Sequence, residues 1–427
     1  MALRSGAVHK NDITRPFYAG RGAIIVALAV TALLIAALSL GVGRGASESE
    51  LREMIRKSAA RVPDKGIEIH RIAGLGVDDI VAIRYGGGHV AYAKSDGSLW
   101  IAPYKDGRIT GRPVQIGSNV ALGTPGEAGF SISRKGTVSY IEEGPRTLGI
   151  VTRQGRLHLA TNQRQNFSSP RFSPDGKNIS VDFTDSTGRD VYTISVDSSR
   201  MSRATFERDA HNAAWLPGNN AITFTSYRLG SLGIYRTQPG SHAIDSIFTS
   251  PALLYSGDWL HDKSGIVTTA MNLSPKSGED LAFIADSGRG PLVAKLADQY
   301  RTRMPAVSRD GKWIAFVSNQ TGRDQVYVSR WDSVETQGRV STSGGVEPVW
   351  SADGRTLYYR ETSTDYLIAL SFRTSPSIAI TKKTPLFPMT EIVPGVTHAN
   401  YDVSPDDSTF VVVRRSSDSQ VRVVKRQ

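Results

Sequence analysis

Short runs of alternating hydrophobic and polar residues fill the chain from about Tyr85 to its C-terminus. An alternation with a period of two predicts β-strands that turn one face toward a core. One stretch shows this well: an inner strand at 170–172 and a second at 179–183 are followed by two more, up to Phe206. The pattern predicts an all-β chain built from repeated groups of four strands.

One short phrase stands between the first and second strand of each group: a large apolar residue, Ser, typically Pro or Ala, then Asp and Gly. Clear copies occupy 172–176, 307–311, 350–354 and 403–406, and weaker copies lie around Ser133, Leu216 and Leu260 and near Tyr85. A period of roughly 40 to 53 residues with four strands per copy is typical of a β-propeller. Counting from the copy near Tyr85 predicts eight blades over 66–427, or seven if the first two weak copies form one blade.

The residues of the phrase are predicted to have structural roles. Asp-Gly suits a two-residue hairpin whose primed turn needs positive φ angles, and Ser and Asp side chains can bond amides of the same turn. The large residue is expected to pack between blades. Because the Asp recurs around the ring, a turn role is favoured over a catalytic or calcium-binding one. The predicted structural positions are Ser173, Asp175, Trp215, Trp259, Ser308, Asp310, Trp350, Ser351, Asp353, Ser404 and Asp406.

The last repeat ends at its third strand, 421–424, and lacks a fourth. The alternating residues 67–72 are predicted to supply that strand. A strand from the N-terminus would close the ring and remove its exposed edges.

The run from Ala23 to Gly43 contains no charged residue and is predicted to be a transmembrane helix. It can cross a hydrocarbon core of about 30 Å, and it is longer than the apolar region of about 7–15 residues in a signal peptide. Basic residues outnumber acids before it, which predicts that residues 1–22 are cytoplasmic. Residues 44–65 are predicted to be a juxtamembrane helix and linker. In a bacterium, the propeller would then lie in the periplasm or outside the cell, anchored in the inner membrane by one span.

Composition and charge narrow the candidate chemistry. There is no Cys, so disulfides and thiolate sites are excluded, and the net charge of +11 favours an acidic protein surface or anionic headgroups. No nucleic-acid-binding motif accompanies the basic residues, so nucleic acid is not an expected partner. Basic residues in loops that are expected to share one face are candidate partner-binding residues: Lys94, Arg189, Arg228, Arg323, Arg360, Arg414 and Arg415. Ordinary solvated charge is the plainer explanation for these residues, and Glu142-Glu143 interrupts the basic pattern.

The sequence lacks the common motifs of catalytic and metal-binding sites. The sequence has no Gly-x-Ser-x-Gly elbow, no HxH or HExxH spacing and no phosphate-binding Gly-rich fingerprint. We therefore predict no catalytic residue, metal site or cofactor. His211 and His261 flank inner strands and are the pair that could meet at the central channel.

The repeated phrase resembles the PD40 (WD40-like) repeat of TolB-type propellers. The stretches 347–360, 385–387 and 400–406 also resemble the extracytoplasmic sensor half of bacterial single-pass membrane serine/threonine kinases. That resemblance implies one span followed by an external propeller. The 22 residues before the predicted span contain no kinase motif, so it implies no catalytic residue.

These features predict a non-catalytic, membrane-anchored propeller that acts as a protein-binding scaffold or accessory subunit of a larger membrane complex. A ligand-sensing receptor remnant that signals to a separate kinase is the alternative. A propeller lyase or hydrolase is a third possibility. The expected partners are envelope proteins and the bilayer.

Overall fold

The computed structural model of the chain describes residues 80–424 except 95–96, 122–127, 186, 219–220, 229–231, 251, 253, 272, 274–277, 286–288, 374–378, 417 and 419. The first strands form a sheet of their own, named here the first accessory sheet: β1 (Ile80–Gly86), β2 (His89–Lys94), β3 (Leu99–Lys105), β4 (Arg108–Ile109) and β5 (Val114–Gly117). Two antiparallel pairs follow along the chain: β6 (Phe130–Ile132) with β7 (Val138–Glu142), and β8 (Thr147–Thr152) with β9 (Leu157–Leu159).

Five four-stranded antiparallel sheets come next, each in chain order, and these are blades one to five. Blade one contains β10 (Asn166–Phe172), β11 (Asn178–Asp185), β12 (Gly188–Ser195) and β13 (Met201–Arg203). Blade two contains β14 (His211–Trp215), β15 (Ile222–Ser226), β16 (Gly233–Thr237) and β17 (Ile244–Thr249). Blade three contains β18 (Leu254–Trp259), β19 (Ile266–Met271), β20 (Glu279–Ile284) and β21 (Leu292–Leu296).

Blade four contains β22 (Thr302–Val307), β23 (Trp313–Ser318), β24 (Gln325–Arg330) and β25 (Gln337–Arg339). Blade five contains β26 (Val346–Trp350), β27 (Thr356–Glu361), β28 (Tyr366–Arg373) and β29 (Ala379–Pro388). The chain then ends with β30 (Tyr401–Val403), β31 (Thr409–Arg414) and β32 (Gln420–Val424).

Blade six combines strands from both ends of the described chain, in the order β30, β31, β8, β9. β31 pairs with β8 over six residues, from Thr409 opposite Thr152 to Arg414 opposite Thr147. The remaining strand, β32, pairs with β7, and with β6 they form the second accessory sheet.

The described residues form a ring of six blades, not the predicted eight or seven. The inner strands β10, β14, β18, β22, β26 and β30 contact one another in that order, and β30 contacts β10. The copy near Tyr85 forms the first accessory sheet outside the ring. The copy at Ser133 is divided, because β6 and β7 lie in the second accessory sheet whereas β8 and β9 complete blade six.

The last repeat is completed in a different way from the prediction. Its expected third strand, 421–424, lies in β32 and pairs with β7, while β8 and β9 supply the third and fourth strands of blade six. The copies at the two ends of the array therefore exchange their outer strands. Residues 67–72, predicted to close the ring, lie outside the described residues.

The turn after the inner strands of blades one, four, five and six is built by the Ser and Asp of the repeated phrase. In blade one, the Ser173 hydroxyl donates to Asp175 Oδ1 at 2.6 Å and accepts from the Asn178 amide at 2.9 Å. The same two bonds recur with nearly the same lengths in the copies at Ser308, Ser351 and Ser404.

These turns are not the predicted primed turns. In blade one, Gly176 has a positive φ, 72°, and Asp175 does not. Pro174 fixes a negative φ at the first central position, which suits an ordinary type I turn followed by a left-handed Gly.

Tryptophans of the phrase bridge neighbouring blades. Trp215 Nε1 donates to the Arg171 carbonyl at 3.1 Å, Trp350 Nε1 donates to the Ala306 carbonyl at 3.1 Å, and Trp259 Nε1 donates to Thr223 Oγ1 at 3.0 Å. Each indole buries a large apolar surface between sheets while its one donor is satisfied.

The predicted membrane span, 23–43, and the helix and linker of 44–65 lie outside the described residues. Within the described part of the chain, no helix is long and apolar enough to cross a bilayer.

Candidate functional site: the axial cavity

All inner strands run in the same direction along the axis of the ring. They begin on one face, named here the start face, and end on the other, named here the turn face. Each inner strand contributes one residue to an axial cavity that opens on the turn face. This residue lies two positions before the Ser of the phrase, or before the residue that replaces the Ser. These six residues are Arg171, Ala214, Asp258, Ala306, Val349 and Asp402. Three charged side chains therefore lie among three small or apolar ones.

Each aspartate of the cavity links two blades. Asp258 Oδ2 of blade three accepts the Val307 amide of blade four at 2.8 Å. Asp402 Oδ2 of blade six accepts the Phe172 amide of blade one, also at 2.8 Å. Burial raises the pKa of each carboxyl to about 6, against a weaker opposing influence of the Arg171 charge and of these amide bonds.

The cation of the cavity is held by backbone carbonyls. Arg171 Nη1 donates to Pro170 O at 2.7 Å and to Ala399 O at 3.0 Å. In the described part of the chain Arg171 forms no ion pair within 4.0 Å. No single carboxylate therefore neutralises the positive charge of Arg171.

The cavity has a volume of about 260 Å³. Its walls include three tryptophans and several prolines, and the exposed side chains of His261 and Arg309 lie at its rim. Pockets for whole small molecules are usually about 300–1,000 Å³. The space therefore suits one or two side chains of an inserted polypeptide, with acceptors for a cation and a donor for an anion.

The start face of the channel is covered by residues 389–400, the connection between β29 and β30, named here the closing segment. Glu347 Oε1 accepts two amides of this segment, from Gly395 and Asn400, both at 2.8 Å. Arg303 Nη1 donates to Val396 O at 2.9 Å, and Arg360 Nη2 donates to Met389 O at 2.7 Å. Because Glu347, Arg303 and Arg360 are almost wholly buried, they fix the segment from inside the ring.

The structure separates the predicted basic residues into different environments. The loop between the second and third strands of a blade lies beside the start of the inner strand, as Asn166 opposite Thr184 shows. Arg189, Arg228, Arg323, Arg414 and Arg415 therefore lie on the start face.

Lys94 lies elsewhere, in the first accessory sheet with its ammonium over the Trp100 ring at 5.5 Å. On the start face, Arg228 pairs with Glu207 at 3.6 Å, and Arg323 donates to Thr342 O at 2.6 Å.

Two of these candidates form internal ion pairs. Arg360 is buried, and its guanidinium contacts Glu347 at 3.4 Å and Asp365 at 2.6 Å. Arg415 pairs with the buried Glu143. Both arginines hold parts of the fold together, so the structure gives them a role that loop position alone did not indicate.

The two histidines singled out by the sequence do not meet. His211 lies at the beginning of β14 and lines a small cavity on the start face, whereas His261 follows the end of β18 and lines the axial cavity. No group of three or more potential metal ligands occurs among the described residues.

Sequence reasoning missed Arg171, Asp258, Asp402 and Glu347. The first three share a position two residues before the Ser of the phrase or its equivalent, so the repeat alignment marked the position although the residue type varies. Glu347 is recognisable in the sequence as an acid within an otherwise apolar strand. Its hydrogen-bond partners lie in the closing segment, and no local sequence pattern indicates that this segment contacts Glu347.

Comparisons with known proteins show which proteins this chain is similar to. No protein-family model matches the chain. Over 186 residues the chain is 30% identical to the Tol-Pal system protein TolB of Francisella tularensis subsp. mediasiatica (strain FSC147), a match that covers 42% of this chain and 41% of that protein. The same protein of subsp. tularensis (strain SCHU S4 / Schu 4) is 30% identical over 186 residues, covering 42% of this chain and 40% of its own length. The chain thus spans less than half of the length of the curated relatives it matches.

Among solved structures, a putative TolB from Agrobacterium tumefaciens matches with a TM-score of 0.50 at 18% identity, covering 64% of this chain and 99% of that chain. TolB from Acinetobacter baumannii gives a TM-score of 0.46 at 15% identity and covers 80% of each chain. Identities this low speak for the fold alone. The narrower resemblance to the sensor half of membrane kinases stays a prediction. The described sheets form a β-propeller of the TolB type.

Proposed function

We propose that this chain is a non-catalytic, protein-binding propeller of the bacterial envelope, a scaffold or accessory subunit that receives a partner polypeptide at the axial cavity. The observation that carries the proposal is the cavity itself, because Arg171, Asp258 and Asp402 lie on apolar walls at an open end of the ring. The likeness to TolB, a protein named for the Tol-Pal system, supports an envelope partner.

The uncharged run 23–43 supports a single span with the propeller on the outer side of the inner membrane. Such an anchor would keep the chain in the plane of the membrane, near other membrane-bound subunits. The net charge of +11 favours partners with acidic surfaces.

The test is a position-dependent cross-link in the native membrane. A photoreactive residue replaces Arg309 at the cavity rim and, as a matched control, Lys382 on the exposed outer strand of blade five. We expect one protein to be cross-linked from position 309 and not from 382, and to co-migrate with the chain in fixed stoichiometry after mild detergent extraction.

Charge reversal then tests the surface. Arg309→Glu is expected to release the partner, whereas Lys382→Glu is expected to retain it. Migration as a single chain, or equal cross-linking from both positions, would contradict the proposal.

A ligand-sensing receptor is the second candidate, favoured by a cavity volume of about 260 Å³ with charges of both signs. It predicts that a small charged molecule raises the melting temperature of the full chain, and that Asp258→Asn abolishes the rise. Association with a partner would then be absent.

A further inference from the structure

A second cavity, of about 30 Å³, lies on the start face, where the closing segment meets blades one, two and three and Arg146, the residue before β8 of blade six. Its lining includes Arg146, Arg189, His211 and His398, together with the amides Asn212 and Asn400, and contains no Asp or Glu. A cavity of this size holds about one or two waters or a single small ion. The lining is therefore rich in hydrogen-bond donors and poor in acceptors that carry charge.

Two buried donors at this cavity lack acceptors. Arg146 uses its terminal nitrogens, since Nη1 donates to Phe167 O at 3.2 Å and Nη2 contacts Glu143 at 3.4 Å. Its Nε is inaccessible to solvent and has no partner. An unsatisfied buried donor costs about 1–3 kcal/mol, more for a charged group.

The ring of His398 presents the same problem. Thr397 Oγ1 lies 3.0 Å from Nδ1, and when that hydroxyl donates, the ring proton is on Nε2. Nε2 is buried without a hydrogen-bond partner. The neighbouring Asn400 side chain accepts the Ser169 amide at 2.9 Å and donates to the Pro394 carbonyl at 3.3 Å, and its hydrogen-bonding influence on the His398 ring is weaker than that of burial.

Arg189 adds a full positive charge. Its backbone is fixed at the start of β12 by a bond from its amide to Arg208 O at 2.9 Å. Among the described residues its guanidinium has no hydrogen bond or ion pair. Arg189 acts electrostatically on Asp182, whose Oδ2 accepts the Asn212 amide at 2.9 Å and whose buried Oδ1 has no hydrogen-bond partner among the described residues.

From these donors we propose that the start-face cavity binds one small monovalent anion, either chloride or the carboxylate of a small acid. The anion would accept from Arg189, Arg146 and His398, and it would connect the closing segment to blades one and six. The site is independent of the axial cavity, so either proposal can fail without the other.

The test measures the melting temperature of the full chain in detergent while chloride replaces methanesulfonate, a larger anion that is not a carboxylate, at constant ionic strength. Binding to the folded state alone stabilises it by mass action, so we expect a saturable rise of about 2 °C. A parallel titration with acetate distinguishes the sources, because a site for chloride responds to chloride and a carboxylate site responds more strongly to acetate. Absence of a saturable rise with both anions would overturn the proposal.

Variants separate this site from general salt effects. Arg189→Gln is expected to remove the anion-dependent rise, whereas Arg323→Gln, on the same face of blade four, is expected to keep it. ³⁵Cl NMR line broadening, expected for wild type and Arg323→Gln and lost in Arg189→Gln, gives a readout that does not depend on the variant's own stability. Equal broadening in all three proteins would count as adventitious surface binding and would also overturn the proposal.

Discussion

The pKa values of aspartates in this ring are shifted in opposite directions, according to how deeply each carboxyl is buried. Asp402, in the axial cavity, has its pKa raised to about 6, chiefly by burial. Asp406, four residues later in the same hairpin, has its pKa lowered, chiefly by the hydrogen bond from Ser404. One hairpin thus contains a carboxyl that favours protonation and a carboxyl that favours ionisation.

These shifts give opposite effects on stability. Between the unfolded pKa of about 3.9 and the folded pKa of about 6, the folded state binds more protons at Asp402 than the unfolded state, so this residue's contribution to stability falls as pH rises through that window. Asp406 has a folded pKa below the unfolded one, so its contribution is present above about pH 4 and is lost as pH falls.

The first prediction follows from Asp402. In Asp402→Asn, an oxygen can still accept the Phe172 amide, but no charge forms above pH 6. We expect the variant to be at least as stable as the wild type at pH 7.5 and to lose less stability between pH 4 and 6, as measured by urea denaturation.

Asp406→Asn is the matched control and should lower stability at pH 7.5. If Asp402→Asn left the slope between pH 4 and 6 unchanged, burial would not be raising the pKa of this carboxyl.

At the scale of elements, the closing segment depends on buried charge. Glu347 is fully buried, has a positive φ of 59° and accepts amides from both ends of the turn that begins at Gly395. Burial raises its pKa, and the Arg360 charge opposes that rise. Removing Arg360 would leave the Glu347 charge uncompensated inside the ring, which is usually strongly destabilising, whereas without Glu347 the Arg360 guanidinium would keep its contact with Asp365 at 2.6 Å.

The second prediction concerns the close approach at Gly395. A Cβ at this position would overlap the His398 carbonyl oxygen and come within 2.8 Å of Glu347 Oε1. Gly395→Ala is therefore expected to lower the free energy of unfolding by about 1–3 kcal/mol, because the segment must move away from its acceptor.

The control is Gly338→Ala, where the nearest heavy atom to the added Cβ is Val328 O at 3.8 Å. Urea denaturation of the two variants beside the wild type measures the difference. Equal stability of the two alanine variants would show that the segment is not held as tightly as the contacts indicate.

At the scale of the whole molecule, the ring closes by an exchange between its ends. β8 and β9 complete the sheet begun by β30 and β31, and β32 completes the sheet of β6 and β7. Arg153, next to β8, adds side-chain contacts: its Nη1 donates to Asp407 Oδ2 at 2.7 Å and to the Tyr358 hydroxyl at 2.8 Å. Neither end can leave without exposing edge strands of two sheets.

The third prediction tests this exchange with cysteine pairs, which is straightforward in a chain without cysteine. Thr147 lies opposite Arg414, and Ser139 lies opposite Val423. Facing strand residues have Cα atoms close enough for a disulfide. Thr147→Cys with Arg414→Cys, and Ser139→Cys with Val423→Cys, should each form an intrachain bond on mild oxidation, seen as faster migration on a non-reducing gel.

The mismatched combinations use the same four positions. Thr147→Cys with Val423→Cys, and Ser139→Cys with Arg414→Cys, join different sheets and should remain reduced. Cross-linking in the mismatched pairs and not in the matched ones would show that β32 pairs in another way.

By itself the sequence determined the fold class, the repeat and the positions of the turns, although not the turn type, because each depends on residues close together in the chain. Ser173, Asp175 and Gly176 build one hairpin turn from residues close together in the chain, and the tryptophans directly before the Ser position in other repeats fill the space between blades. The sharing of one face by Arg189, Arg228 and Arg323 was also predictable, since it follows from the order of strands within a single repeat.

Only the tertiary structure decided the number of blades, the partners of β8 and β32, and the two cavities. The sequence shows that β8 and β32 are strands, but every unpaired edge offers the same backbone groups, so pairing depends on which edges the rest of the ring leaves open. Asp258 and Asp402 lie in different repeats, and Glu347 contacts a loop some fifty residues away. Such groups acquire their chemistry from burial and from neighbours that chain order does not reveal.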